Sequence, residues 1–158
     1  MRVEYINPFV EAAYNVLKEV LNTEVHRGEL YLKSTSMPVL GVAAIVGLAG
    51  DVEGRVLFDM TRQTAIQVAS TMLAGMEMEP ISDLNDMGKA SITELANMIT
   101  GQAVTKLHNL GFKFDLTPPA LFTGENMEVT DADVEALIVP MELPQGKLEI
   151  NVAIRERA

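Results

Sequence analysis

The chain has 158 residues, of which 48% are hydrophobic and 22% charged, which is enough to bury one core. It has no cysteine, so it can form no disulfide, thiol nucleophile or cysteine-based zinc site. Its 12 Lys and Arg are scattered among 22 Asp and Glu, giving a net charge of −10, so we expect no nucleic-acid partner. The longest apolar run, 37–50, is short for a bilayer and no signal segment is apparent, so we expect a cytoplasmic protein without membrane contact.

The first predicted element is a helix over 7–22. Asn7 is a residue type that caps helices and Pro8 suits the first helical position, so this pair predicts where the helix starts. Apolar residues then recur at helical spacing, which predicts one buried side. That side consists of Phe9, Val10, Ala13, Leu17, Val20 and Leu21.

Three strands are predicted next. In 30–33 two leucines alternate with polar residues, which indicates a half-buried strand. The continuous apolar run 39–46 is typical of a central strand that is covered on both faces. A turn at 49–51 leads into a third strand, whose outward positions hold Arg55 and Asp59.

Two helices follow, over 61–73 and 83–110. Gly75 is expected to end the first in the left-handed conformation, and Ser82 is expected to cap the second, with Gly111 just beyond its end. The second helix carries an apolar stripe at 100° per residue, which predicts the side that faces the core. The stripe consists of Leu84, Ile92, Leu95, Ile99 and Leu110.

The last third of the chain predicts an irregular region and a hairpin. The region 112–128 contains Pro118-Pro119, and strands over 134–141 and 148–154 are joined by a tight turn. The second strand alternates apolar and polar residues, which indicates one wet face. No linker divides the chain, so we expect one domain over 1–158 with an α+β fold, a largely antiparallel sheet packed with long helices.

A weak internal repeat has an offset of about 82 residues. Val52-Glu53 recurs as Val134-Glu135, Pro38 as Pro119, and Asn15 as Asn97. Three matches at nearly one offset suggest an old duplication of a helix–strand unit.

The strongest candidates for functional residues lie on the polar side of the long predicted helix. Glu94 and Asn97 are three residues apart and are therefore neighbours on that side. Ala90 lies four residues before Glu94, and Gly101 lies four after Asn97. Because glycine inside a helix costs roughly 1 kcal/mol relative to alanine, we expect close approach of another molecule at Gly101.

Spacing alone does not establish a function for this pair. The same pattern occurs at Glu19 and Asn22, where Asn22 is expected only to end a helix. Glu-x-x-Asn is also short enough to arise by chance, so a structural role remains the alternative.

Other candidates are weaker. His26 and His108 lack further ligands at suitable spacing, so no metal site is predicted. Four acidic residues imitate a calcium loop, but Ala136 replaces the required glycine; they are Asp131, Asp133, Glu135 and Glu142. Five methionines are expected to fill gaps in the core rather than line a binding surface, namely Met72, Met76, Met78, Met87 and Met98.

The segment 91–101 resembles the motif of the CheC, CheX and FliY family of chemotaxis phosphatases. That motif has a Glu and an Asn three apart on a long helix, then a Gly, and further on a proline, which are here Glu94, Asn97, Gly101 and Pro118-Pro119. The resemblance covers nearly the whole chain, and a single Glu/Asn pair favours the CheX form. Ala90 departs from the family, whose members commonly have Ser or Asp there.

The resemblance implies a phosphatase that hydrolyses the phospho-aspartate of a CheY-like response regulator. Asn97 would hold the attacking water, Glu94 would pair with a lysine of the partner, and Ala90 and Gly101 would contact the docked partner. The Mg²⁺ would belong to the partner, so no cofactor of the chain's own is expected. The resemblance also implies a homodimer that pairs sheet edges, for which strand 148–154 or its neighbour is the candidate.

A second function is compatible with the same residues. The chain could be a docking module that binds a response regulator or a flagellar-switch protein without turnover. The carboxamide of Asn97 favours the phosphatase, because a surface that only docks a partner does not need it.

Overall fold

A computed structural model describes residues 3–33, 36–130 and 135–157. Three helices are found in these ranges, namely α1 (Val3–Val20), α2 (Arg62–Ala74) and α3 (Asp86–Asn109). The first five strands are β1 (His26–Arg27), β2 (Tyr31–Lys33), β3 (Ser36–Pro38), β4 (Val42–Gly50) and β5 (Val52–Met60). The others are β6 (Phe114–Leu116), β7 (Ala120–Thr123), β8 (Glu128–Thr130), β9 (Ala136–Leu143) and β10 (Gly146–Glu156).

Eight of these strands form one antiparallel sheet, which confirms the predicted α+β class. Two hairpins, β4–β5 and β9–β10, meet where β5 pairs with β10, so Val56 lies opposite Val152 at the centre. Strands β6 and β7 extend the sheet beyond β4, and β1 and β2 extend it beyond β9. Strands β3 and β8 form a separate two-stranded ribbon.

The three helices cover one face of the sheet. The alternating residues of β10, from Leu148 to Ile154, point into a core that contains the buried sides of α1 and α3. Helix α3 packs against α1, α2, β4 and β7, and α1 and α2 also contact β10. This arrangement places α3 at the β4 side of the molecule with its other side outward.

Helix α1 begins earlier than predicted. Asn7 does not cap it, and Pro8 lies inside it. Tyr5 and Ile6 are buried, and the Tyr5 ring meets the Phe112 ring edge-on at 5.1 Å between centroids, so burial of the first turn favours the helix. Pro8 removes only a bond to the carbonyl of Glu4 near the helix end, where few such bonds exist.

The ends of α2 and α3 also differ from prediction. Asn85, not Ser82, caps α3, and its side-chain oxygen accepts a hydrogen bond of 2.9 Å from the Gly88 amide. Gly75 is right-handed with φ −63°, and the left-handed residue is Glu77. Leu110 is 58% exposed rather than part of the core stripe, because it is the C-cap of α3 and lies beyond the packed turns.

Several strand predictions are corrected as well. The region 112–128 contains two paired strands and the start of a third, because β6 and β7 both find β4 as a partner. The predicted strand over 30–33 has Leu32 60% exposed, since its three-residue strand β2 lies at the sheet edge. One of the three repeat matches includes Val134, which lies outside the described residues, and the duplication stays a prediction.

The second face of the sheet is buried too, contrary to prediction. Arg55, Asp59, Glu149 and Asn151 are all buried. Arg55 donates a hydrogen bond of 2.5 Å to the Asn151 side-chain oxygen, and the Tyr31 hydroxyl donates one to Glu149. The polar residues of β5 and β10 on this face are therefore satisfied by hydrogen bonds to protein groups and do not face water.

The predicted dimer edge is wrong. Strand β10 is paired on both sides, with β5 and β9, and β9 is itself covered by β1 and β2. An edge-paired homodimer would have to use the outermost strands instead. The homodimer itself stays a prediction.

The buried carboxyl group of Asp59 makes stability depend on pH. Asp59 is 2% exposed, and its oxygens accept the Leu40 amide at 2.9 and 3.1 Å. Its pKa is raised from 3.8 to about 6, chiefly by burial; the Leu40 amide opposes this rise, and the Glu149 carboxylate adds to it. The folded state therefore resists ionisation of Asp59.

We expect Asp59→Asn to remove part of the pH dependence of unfolding. Because the pKa is higher in the folded state, ionisation of Asp59 destabilises the wild type as pH rises from 4 to 7, by on the order of 2–3 kcal/mol. The asparagine oxygen can still accept the Leu40 amide, so the variant should gain on the wild type over this range in urea unfolding. Parallel stability curves for the two proteins would show that Asp59 ionises freely in the fold.

Candidate functional site

Helix α3 is held rigidly along one side. Its buried residues recur at helical spacing and belong to the core. They are Gly88, Ser91, Ile92, Leu95, Ala96, Ile99, Thr100, Ala103 and Leu107. The opposite side is consequently fixed in direction and faces outward.

Both ends of α3 are closed by hydrogen bonds. The Asn85 cap satisfies an amide at the start. At the other end Gly111 has φ +97°, its amide bonds to the His108 carbonyl, and the Phe112 amide bonds to the Leu107 carbonyl. This is a Schellman motif, which keeps the last turn from fraying, and Gly111 lies just beyond the helix as predicted.

The predicted site residues lie together on the outward side of α3. Ala90, Glu94, Asn97 and Gly101 are all exposed. Glu94 and Asn97 are separated by about 4.5 Å along the axis and about 60° around it. Neither side chain takes part in any hydrogen bond or ion pair among the residues that the structure describes.

Space above this surface is open at Gly101. No atom lies within 4 Å of the position that a Cβ would take there, whereas a Cβ on Gly88 of the same helix would lie 2.6 Å from Ile81. A Cβ at Gly88 would have to displace the ends of the Ile81 and Leu84 side chains. A Cβ at Gly101 would displace nothing, so packing among the described residues does not explain this glycine.

The predicted proline segment lies beside the helix. Thr117 makes two hydrogen bonds with Gly47 of β4. Its hydroxyl oxygen accepts the Gly47 amide at 2.8 Å, and its own amide donates to the Gly47 carbonyl at 3.0 Å. Pro118 and Pro119 follow immediately and lead into β7, which packs on α3. The proline segment therefore leads directly into a strand that packs on the helix of the motif.

The methionines were predicted wrongly. Met72 is partly buried against the core, but four others are exposed, namely Met76, Met78, Met87 and Met98. Met87 and Met98 lie seven residues before and four residues after Glu94, so they share its side of α3. Their place on the polar side of the helical pattern was the signal that could have identified them.

Metal ligands are not assembled in the described ranges, where no group of three His, Asp or Glu residues could hold an ion. His26 lies 3.5 Å from Glu24, and the His108 ring contacts the Phe114 ring at a tilt of 56°, with 5.1 Å between ring centroids. Asp131 and Asp133 of the calcium-like stretch lie outside the described residues. Within the same ranges no helix combines the length and apolarity needed to cross a membrane.

The fold defines the class of protein first. A CheC-like superfamily protein from Shewanella sp. PV-4 superposes with a TM-score of 0.86 at 26% identity, over 98% of this chain and 99% of that one. A CheX protein in a CheX–CheY–BeF₃–Mg²⁺ complex from Borrelia burgdorferi gives 0.83 at 46% identity, over 98% and 100%.

The sequence then defines the family. The model of the family described as chemotaxis phosphatase CheX matches residues 42–142. A "CheY-P phosphatase CheX" of Thermotoga maritima is 28% identical over 129 residues, which are 82% of this chain and 81% of that protein. The chain belongs to the CheX family of chemotaxis phosphatases.

We expect Gly101→Ala to stabilise the protein. Alanine is preferred to glycine inside a helix by about 1 kcal/mol, and no atom opposes the new methyl group. Gly88→Ala is the matched control, and it should gain less than Gly101→Ala because its Cβ would push against the ends of the Ile81 and Leu84 side chains. Urea unfolding midpoints measure both changes, and a loss of stability in Gly101→Ala would mean that the glycine serves the fold.

Proposed function

We propose that this phosphatase hydrolyses the phospho-aspartate of a CheY-like response regulator with Asn97 and Glu94. The observation that carries the proposal is an exposed carboxamide and carboxylate on one rigid helix, with small residues on either side and no partner among the described residues. The Thermotoga maritima relative is a CheY-P phosphatase, and the Borrelia burgdorferi relative was crystallised with CheY. These relatives support the choice of substrate.

Asn97 supplies positioning and no proton transfer. Its amide both donates and accepts hydrogen bonds and cannot act as a base at neutral pH. An aspartyl phosphate is an activated acyl phosphate, so the reaction needs chiefly a water aligned with the bond that breaks. Holding that water beside the phosphoryl group can lower the barrier by roughly 3–4 kcal/mol, a factor of about a hundred to a thousand.

In the reaction, the water oxygen forms a bond to phosphorus while the bond from phosphorus to the aspartyl oxygen breaks. The electron pair stays with the leaving carboxylate of the partner, and the proton of the water passes to the released phosphate or to solvent. Mg²⁺ held by the partner would neutralise charge on the phosphoryl oxygens. No cofactor of this chain's own enters the scheme.

Glu94 provides the second contact. A carboxylate about 4.5 Å along the helix from Asn97 can pair with a lysine beside the partner's phosphoryl group. That ion pair would set the register of docking, so that Asn97 meets the phosphoryl group and not its surroundings. Ala90 and Gly101 would let the partner's surface approach the helix closely.

Asn97→Ala is expected to abolish acceleration of phosphate loss, because alanine cannot hold the water. Binding of the partner should survive, since the docking lysine still meets Glu94. The measurement is the decay of phosphorylated CheY from the Borrelia burgdorferi complex with Mg²⁺, with and without this protein. If the Asn97→Ala variant accelerates phosphate loss from CheY as much as the wild type does, the assignment is refuted. If the wild type binds CheY without accelerating phosphate loss, the docking module is favoured.

Glu94→Lys is expected to weaken binding by placing two like charges together. Its rate at saturation should fall less than that of Asn97→Ala. Equal affinity of this variant and the wild type for CheY carrying BeF₃ and Mg²⁺ would remove Glu94 from the docking contact.

A single active site per chain is expected despite the suggested repeat. Asn15, the counterpart of Asn97, is exposed on α1, but Ala12 and Glu19 stand where Glu94 and Gly101 would have to be. The Asn15→Ala variant should therefore dephosphorylate CheY at the same rate as the wild type. Half-activity in each of Asn15→Ala and Asn97→Ala, lost only in the double variant, would establish two sites instead.

A further inference from the structure

Two methionines on the outward side of α3 have no place in the scheme above. Met98 is 37% exposed and Met87 is 44% exposed, whereas Ile92, Leu95 and Ile99 of the same helix are 2% exposed or less. The helix therefore buries its branched apolar residues and presents its flexible, unbranched ones. Exposed apolar side chains that lie together on one helix side are a feature of surfaces that meet another molecule.

Their positions are tied to the catalytic pair. Met98 follows Asn97 directly and lies four residues after Glu94, so its Cβ is about 6 Å from that of Glu94. Around the axis it lies about 40° from Glu94 on the side away from Asn97. A partner that covers Glu94 from both sides therefore also covers Met98.

Met87 lies further along the same side. It is about 10 Å along the axis from Glu94 and about 20° around it. A stable interface removes about 800 Å² from each partner, a patch about 30 Å across. A patch of that size centred on Glu94 and Asn97 includes both methionines.

We infer that Met87 and Met98 are apolar anchors for the phosphorylated response regulator, one on each side of the Glu94 ion pair. This inference rests on the proposed function and adds to it the source of affinity and selectivity. Glu94 and Asn97 are hydrated before docking, so their bonds to the partner replace bonds to water and contribute modest net affinity. When the partner covers the two thioether side chains, no hydrogen bonds to water are lost. This contact favours partners with an apolar rim around the phosphoryl site.

The test measures affinity separately from turnover. The probe is the CheY of the Borrelia burgdorferi complex, loaded with BeF₃ and Mg²⁺ and titrated by calorimetry or fluorescence anisotropy. We expect Met98→Ala to raise the dissociation constant about five- to tenfold and Met87→Ala about two- to fivefold, as partial burial of a methionine side chain predicts.

Two further variants separate apolar contact from shape and location. Met98→Leu should restore most of the affinity, while Met98→Gln, of similar length but polar, should behave like Met98→Ala. Leu110→Ala is the control, because Leu110 is 58% exposed on the same helix yet lies about 24 Å along the axis from Glu94. Its affinity should match that of the wild type.

The rate of phosphate loss at saturating protein should be largely kept in the methionine variants, since neither methionine touches the phosphoryl group in the proposed scheme. Wild-type affinity in both alanine variants, or the same loss in Leu110→Ala, would overturn the inference. Failure of the wild type to accelerate phosphate loss would instead overturn the proposed function. The binding titration distinguishes the two, since it does not depend on catalysis.

Discussion

The burial of one side of α3 is the constraint on which the remaining features depend. Ile92, Ile99 and Leu107 are each almost fully buried, and each contributes about 1.5–3 kcal/mol by leaving water. A rotation of the helix by one residue would expose this side and bury Glu94, whose charge has no partner among the described residues. The core thus determines the outward direction of Glu94 and Asn97 without any contact to either.

The sheet beneath the helix is fixed with similar strictness. Gly54 of β5 has φ +136°, and a Cβ at this position would lie 1.9 Å from the Ala153 carbonyl of β10. The two hairpins can therefore approach closely only because residue 54 has no side chain. Since β4 pairs with β5 and supports α3, this close approach at the centre sets the platform on which the site stands.

Sequence patterns predicted the elements with a strong local cause. The α3 stripe, the turn that includes Asp51 and the end of α3 just before Gly111 all follow from residue type and spacing over a few positions. The failures have tertiary causes. Pro8 is inside a helix because Tyr5 meets Phe112 more than a hundred residues away, and no local rule contains that contact.

The prediction that the polar side of β10 faces water failed for a related reason. Alternation predicts water on the polar face, but Glu149 and Asn151 find partners on other strands and are buried. For the site, spacing identified which residues share a face of α3, and only the family resemblance distinguished Glu94/Asn97 from Glu19/Asn22. The exposure of Met98 was not predicted because methionine is also common in protein cores. Its position on the polar side of the helical pattern was a better guide than its residue type.

The exposure of Glu94 and Asn97 has a consequence for how this enzyme is controlled. In the proposed scheme the catalytic groups are ordinary solvated side chains, and the metal, the activated bond and the enclosing walls all belong to the other protein. Under that proposal the chain carries half of an active centre, which becomes complete only when the two proteins meet. Such an enzyme has no latent reactivity to restrain, so its activity in a cell would be set by how much phosphorylated partner is present rather than by an inhibitor or a lid.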